Sequence, residues 1–120
     1  DKVENFLQTG IETGVGDCTI DQLKTLLIRG QQTLLVSVNN GEINGAMTLE
    51  IYNTPNERVA HITALGGRGV VDRDTFSQVE SWAKSQGATK FRAWAQEAQA
   101  RLYQKNADFN TTRYVVEKRL

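Results

Sequence analysis

Three glycines surround an arginine at residues 66–69, within the stretch ITALGGRGVVDRDTF. A strand-like apolar run precedes them and a helical pattern follows. Glycine costs conformational entropy on folding, so this cluster indicates either a sharp turn or a close approach to the backbone. A helix start offers unpaired N–H groups, and Arg68 adds a charged donor suited to phosphate. The stretch therefore predicts a diphosphate cradle, with glycines that serve backbone geometry alone as the alternative.

His61 is the only histidine, and imidazole is the side chain whose ordinary pKa lies near neutrality. It is therefore a candidate general base, and Glu50 on the preceding strand is a second one. Strand alternation places two sets of side chains on opposite faces: His61, Thr63 and Leu65 on one, and Ala60, Ile62 and Ala64 on the other. One histidine and the lone Cys18 cannot supply the usual ligand sets, so no metal site is expected. Cys18 is expected to pack as a small apolar side chain.

Periodicity and turn residues predict nine elements in the order α-α-β-β-β-α-β-α-β. The helices are expected over residues 2–13, 19–30, 71–86 and 97–105, the first of them interrupted at Gly10. A hairpin covers residues 32–53, and further strands cover 58–65, 90–95 and 113–120. Thr19 with Gln22 has the spacing of a capping box, Asn40-Gly41 suits a type I′ turn, and Gly45 indicates a bulge. Trp82 and Trp94 are expected in the core.

This order predicts a single α+β domain over residues 1–120. The third strand, the glycine turn, the third helix and the fourth strand form a central, parallel β-α-β unit on an antiparallel meander. A twisted mixed sheet flanked by helices on both sides follows.

Composition excludes several classes of function. Fourteen basic and fourteen acidic residues give a net charge of zero, so neither nucleic acid nor an anionic membrane is an expected partner. One cysteine excludes an internal disulfide, and no apolar run approaches the length that spans a membrane. We expect a cytoplasmic protein.

Three motifs in sequence order resemble the Gcn5-related N-acetyltransferase (GNAT) superfamily. ALGGRG at 64–69 is similar to that family's Gln/Arg-x-x-Gly-x-Gly/Ala loop, with Ala64 in place of the Gln or Arg. ARLYQKNADF at 100–109 is similar to its Leu-Tyr-x-Lys-x-Gly-Phe signature, with one extra residue and Asp108 in place of Gly. The helix, glycine stop and strand in VESWAKSQGATKFRAWA complete the similarity, which covers about residues 19–120. It implies the GNAT fold, whose first strand is then missing before the first helix and is expected upstream of Asp1.

The resemblance also implies a reaction, in which acetyl-coenzyme A donates an acetyl group to an amine of a small molecule or a protein. Tyr103 matches the family's tyrosine that protonates the leaving thiolate, and His61 or Glu50 is then the base. The cofactor-binding residues that the resemblance implies are Ile62, Thr63, Ala64, Gly66, Gly67, Arg68, Gly69 and Val70. A backbone N–H near Ile62 to Ala64 is expected to hold the oxyanion.

Within the superfamily, the chain is most similar to GNAT-like proteins encoded beside virion genes in tailed bacteriophages. That similarity implies an alternative function: a catalytically inactive, virion-associated protein that binds phage structural proteins, in the host cytoplasm or the virion. Loss of the Gln or Arg at Ala64 and the lack of an obvious acidic base favour this alternative, whereas the intact Gly67-Arg68-Gly69 and Tyr103 favour the enzyme. Homo-oligomerisation stays open.

Overall fold

The computed structural model describes residues 1–13, 18–67 and 72–120, which form four helices and four strands. The helices are α1 (Lys2–Thr13), α2 (Ile20–Ile28), α3 (Arg73–Ser85) and α4 (Glu97–Ala107). The strands are β1 (Thr33–Asn39), β2 (Glu42–Asn53), β3 (Arg58–Gly67) and β4 (Lys90–Ala93).

The four strands form one mixed sheet in the order β1-β2-β3-β4. The first three strands are antiparallel neighbours, and β4 pairs in parallel with β3. The chain between β3 and β4 contains α3, as a parallel pair requires a crossover. The predicted α+β class and the central β-α-β unit are confirmed.

Each face of the sheet carries its own apolar core. On one face, Met47, Leu49, Ala60 and Ile62 pack with Phe76 and other side chains of α3 and α4. On the opposite face, Ala46 and Ala64 pack with Leu7 of α1 and Leu23 of α2. Cys18 packs at the margin of this second core and is half-buried. We call the two sides the α3/α4 face and the α1/α2 face.

Local signals in the sequence account for several element boundaries. Thr19 and Gln22 form the predicted capping box at the start of α2, where each side chain bonds the other residue's backbone N–H. Asn40 and Gly41 both have positive φ, as the predicted type I′ turn between β1 and β2 requires. The predicted bulge lies beside Gly45, where the β1–β2 register shifts. Helix α1 continues through Gly10, contrary to the predicted interruption.

The predicted last strand is wrong: residues 113–120 form no strand in the structure. Tyr114 and Val116 are each 89% exposed. A strand is stabilised by a paired neighbour and a buried face, and this segment has neither among the described residues. Over the same residues, no helix is both long and apolar enough to cross a membrane.

Candidate active site

The hydrogen-bonded pairing of the parallel strands β3 and β4 ends halfway along β3. Their pairing runs from Val59 opposite Lys90 to Ile62 opposite Ala93 and then stops, whereas β3 continues to Gly67. The last five residues of β3 therefore have no strand partner on the β4 side among the described residues. We call the unpaired stretch along the β4 side of residues 63–67 the gap.

A bulge at Thr63 marks the start of the gap. Thr48 pairs with Ala64 and Leu49 pairs with Ile62, so Thr63 is an extra residue without a register partner in β2. Its hydroxyl lies 2.7 Å from the Thr48 hydroxyl and 2.6 Å from Gln32 Oε1. Because of the extra residue, Ala64 belongs to the α1/α2 core, so the alternation predicted for β3 is wrong beyond Ile62.

His61 and Glu50 lie side by side just before the gap. They are register partners on β3 and β2, and His61 Nδ1 is 3.2 Å from Glu50 Oε1. The His61 side chain is nearly buried, at 9% exposed, whereas that of Glu50 is 40% exposed. An ionised carboxylate accepts the Nδ1 proton, and in that tautomer Nε2 carries the basic lone pair. Two residues that the sequence offered as alternative bases thus form one hydrogen-bonded pair.

Three further side chains surround this pair, and no pattern in the sequence indicated a site for any of them. Arg92 of β4 is the register partner of His61 and donates from Nη1 to the Tyr52 hydroxyl at 2.7 Å. The Trp94 ring lies 4.9 Å from the His61 ring, and the Tyr52 ring lies 6.2 Å from it. Trp94 is 42% exposed, so its predicted place in the core is wrong. Only the strand register brings these residues together.

Tyr103 lies on the other face of the sheet, within a cluster of aromatic rings. Its ring is 4.8 Å from that of Phe109 and 6.4 Å from that of Phe76, and the residue is 5% exposed. Burial raises the pKa of the Tyr103 phenol well above its ordinary value, because the ionised form would lose its hydration. Among the described residues the structure gives its hydroxyl no hydrogen-bond partner.

The backbone of other parts of the chain closely approaches both Gly66 and Gly67. A close approach was one of the two explanations that the sequence left open for the glycine cluster. A Cβ on Gly66 would overlap the Phe6 carbonyl oxygen of α1. A Cβ on Gly67, whose φ is +110°, would overlap the Asn44 carbonyl oxygen of β2. Close packing therefore requires both glycines whether or not a ligand binds. Arg68, Gly69 and Val70 lie outside the described residues.

The first turn of α3 is acidic and already capped. The Asp72 carboxylate accepts from the Thr75 backbone N–H at 2.8 Å, and Asp74 follows in the same turn. Arg73 is committed elsewhere, because its guanidinium pairs with Asp108 at 3.2 Å and donates to the Lys105 carbonyl. In the described part of this helix start, one backbone N–H is already taken and two carboxylates add negative charge. Both features weaken the attraction of a phosphate compared with an uncapped helix start that has no acidic residues.

The predicted site residues thus fall into two groups on opposite faces of the sheet. Glu50 and His61 lie on the α1/α2 face, and Tyr103 lies on the α3/α4 face. Ile62 belongs to the α3/α4 core and Ala64 to the α1/α2 core, and Thr63 is the extra residue between them. Within the described residues, no group of acidic, histidine and cysteine side chains is arranged to hold a metal ion.

Comparison with solved structures identifies the fold. An acetyltransferase from Trypanosoma brucei superimposes with a TM-score of 0.62 at 16% identity, over 98% of this chain and 94% of that one. A predicted acetyltransferase from Clostridium acetobutylicum, solved with acetyl-CoA, gives 0.62 at 16% identity over 83% and 71%. An aminoglycoside acetyltransferase from an uncultured soil metagenome, solved with sisomicin, gives 0.63 at 14% identity over 98% and 91%. No protein-family model and no curated protein sequence matches the chain. The chain has the GNAT fold that its motifs predicted.

Proposed function

We propose that this protein is an acetyl-CoA-dependent N-acetyltransferase of the GNAT superfamily, acting on a small-molecule amine. The observation that carries the proposal is the end of the β3–β4 pairing at Thr63, which has no register partner among the described residues, next to the His61–Glu50 pair. The fold supports the proposal, because it is shared with solved acetyltransferases. One of these was solved with acetyl-CoA, and another, an aminoglycoside acetyltransferase, with sisomicin.

The described residues fit the acyl end of coenzyme A. A ligand between the separated ends of β3 and β4 would have the face that carries His61 on one side and the face that carries Tyr103 on the other. The unpaired backbone near Thr63 offers N–H groups to an acyl oxygen. The residues assigned to the diphosphate of coenzyme A are Gly66, Gly67, Arg68, Gly69 and Val70, and this role remains a prediction from the sequence.

Each residue then has a separate task in the transfer. When bound, acetyl-CoA supplies a thioester carbonyl carbon that an amine nitrogen can attack, with release of the thiolate. His61 accepts the amine proton at Nε2, while Glu50 holds the proton on Nδ1 and stabilises the imidazolium. A backbone N–H between Ile62 and Ala64 stabilises the oxyanion. Tyr103 keeps its proton at neutral pH and donates it to the leaving sulfur.

Thermal unfolding with acetyl-CoA tests this function. A ligand at a hundred times its Kd stabilises the folded state by about 2.7 kcal/mol, which raises Tm by roughly 10 °C in a domain of this size. Arg68→Ala should weaken the shift, whereas the control Arg73→Ala should keep it, because Arg73 is engaged with Asp108. No shift with millimolar acetyl-CoA would exclude use of the cofactor.

A binding protein without catalysis is the second candidate, and the packing of Gly66 and Gly67 favours it. Both glycines are explained by backbone contacts within the chain, so their presence does not require a ligand. Strand β1 also exposes Leu34, Val36 and Val38 on one side of the sheet's edge. Under this alternative, acetyl-CoA gives no shift and the protein copurifies with structural proteins. The bacteriophage origin and the location in cytoplasm or virion remain predictions.

A further inference from the structure

Arg92 is a cation placed next to the proposed base. It alternates along β4 with Phe91 and Ala93, which both pack against the α3/α4 core. Its side chain therefore lies on the α1/α2 face, in one row with its register partner His61 and with Glu50. The residue is partly buried. A guanidinium thus stands one strand away from the imidazole that accepts the amine proton.

No carboxylate among the described residues neutralises this guanidinium. Glu50, the acidic residue of the same row, pairs with His61 instead. The ion pairs that the described residues form are Lys24–Glu4, Arg73–Asp108, Lys90–Glu57, Arg101–Glu97 and His61–Glu50. Among the described residues, the Arg92 guanidinium has one hydrogen-bonded partner, the Tyr52 hydroxyl, which takes one of its five N–H donors. A partly buried cation without a counter-ion is costly, and an anionic ligand would remove that cost.

The hydroxyl of Tyr52 holds the guanidinium in place, and the aromatic rings beside it shape the surroundings. Trp94, two residues beyond Arg92, is partly exposed and lies against the His61 ring. Neighbouring strands lie about 4.8 Å apart, so groups bound by Arg92 and by His61 are separated by only a few bonds. The planar guanidinium fork matches a carboxylate, which accepts two parallel N–H bonds.

We propose that Arg92 binds the carboxylate of the acceptor, so that the substrate class is a small amino carboxylate whose amine faces His61. This inference rests on the proposed acetyltransferase function and narrows its acceptor. In the transfer, the amine nitrogen bonds to the acetyl carbon and its proton passes to His61. The bond from carbon to sulfur breaks, and its electron pair leaves on the thiolate sulfur, which Tyr103 protonates. The acceptor's carboxylate stays ionised on Arg92 throughout and orients the amine.

Matched acceptors test the proposal during turnover. β-Alanine and β-alaninamide differ at the carboxylate and share the primary amine. The wild type should prefer β-alanine in kcat/KM, and Arg92→Gln should lower the ratio of the two values by about tenfold to a hundredfold, as expected for a hydrogen bond to a charged group. Taking the ratio within each variant cancels the intrinsic difference between the two amines. Arg58→Gln, which removes the same charge from a guanidinium bonded to Gln86 and Asn53, should keep the wild-type ratio.

A binding measurement decides the proposal independently of turnover. With Trp82→Phe as background, Trp94 is the remaining tryptophan and reports on the space beside His61. Its fluorescence should respond saturably to β-alanine but not to β-alaninamide, and Arg92→Gln should abolish the response. Arg92→Lys, which keeps the charge but not the fork, should retain a weaker response. Equal responses to both probes, or none to β-alanine in the wild-type site, would overturn the proposal even if acetyl transfer to another amine is observed.

Discussion

At the scale of single residues, the proposed chemistry depends on the contact between His61 and Glu50. His61→Ala should lower turnover by about 10²–10⁴-fold, as expected for a lost general base. Glu50→Gln should lower kcat by about tenfold, because the amide no longer stabilises an imidazolium, while the KM for acetyl-CoA stays unchanged. Glu57→Gln is a matched control: its carboxylate is 39% exposed and pairs with Lys90, compared with 40% for Glu50. Steady-state kinetics with the same loss in Glu57→Gln would contradict a specific role for Glu50.

The proposed acid can be tested in the same assay. Tyr103→Phe removes a hydroxyl without a partner among the described residues, so the fold and the acetyl-CoA thermal shift should persist. If the phenol protonates the thiolate, turnover should fall by about 10²–10⁴-fold. Tyr114→Phe, at a residue that is 89% exposed, should have no effect. Wild-type turnover in Tyr103→Phe would leave the proton to solvent and the tyrosine to packing.

At the scale of elements, α1 lies on β3 with backbone against backbone. A Cβ on Gly10 would come within 2.5 Å of the Leu65 backbone nitrogen, and one on Gly66 would overlap the Phe6 carbonyl oxygen. Each change to alanine should destabilise the fold by about 1–3 kcal/mol, measured by urea unfolding, because helix and strand must separate. The double variant should lose less than the sum, since one separation relieves both clashes. Strict additivity would show that the two glycines act at independent contacts.

Local elements could be predicted from the sequence, and their pairing could not. The capping box of Thr19 and the Asn40-Gly41 turn depend on residues within four positions of each other, so the sequence shows them directly. The bulge at Thr63 depends on the register with β2, and it reverses the side on which Ala64 lies. The strand predicted at 113–120 has an apolar pattern but no neighbour among the described residues.

For the candidate site too, single residues could be predicted from the sequence, and the contacts between strands could not. His61, Glu50 and Tyr103 were candidates because of their chemistry or their place in a motif. Arg92 and Tyr52, 40 positions apart in sequence, meet only through the β2–β3–β4 register. Gly66 and Gly67 indicated a close approach, but the approaching atoms belong to α1 and β2, which no local pattern identifies.

At the scale of the whole molecule, the sheet separates two apolar cores, and the pairing of β3 with β4 ends after Ile62. The proposed base belongs to the α1/α2 face and the proposed acid to the α3/α4 face. A single ligand between the strands can therefore receive a proton from one side and lose one to the other. This arrangement places the proposed base and the proposed acid on opposite faces of the sheet.

The free energy of unfolding should depend on alkaline pH through Tyr103. Burial raises the pKa of this phenol above the value near 10 that it has in an unfolded chain. The folded state therefore holds the phenol proton more tightly than the unfolded chain does. The free energy of unfolding is unaffected by this proton well below pH 10, and it falls as the pH rises from there towards the folded pKa, because the unfolded chain ionises first. In urea unfolding, the stability of the wild type relative to Tyr103→Phe should be constant from pH 7 to 9 and should fall by about 1.4 kcal/mol by pH 11. The free energy of unfolding of Tyr114→Phe should change with pH as that of the wild type does. If the free energy of unfolding of Tyr103→Phe also follows the wild type, the Tyr103 phenol has the same pKa in the folded and the unfolded chain, which contradicts the prediction.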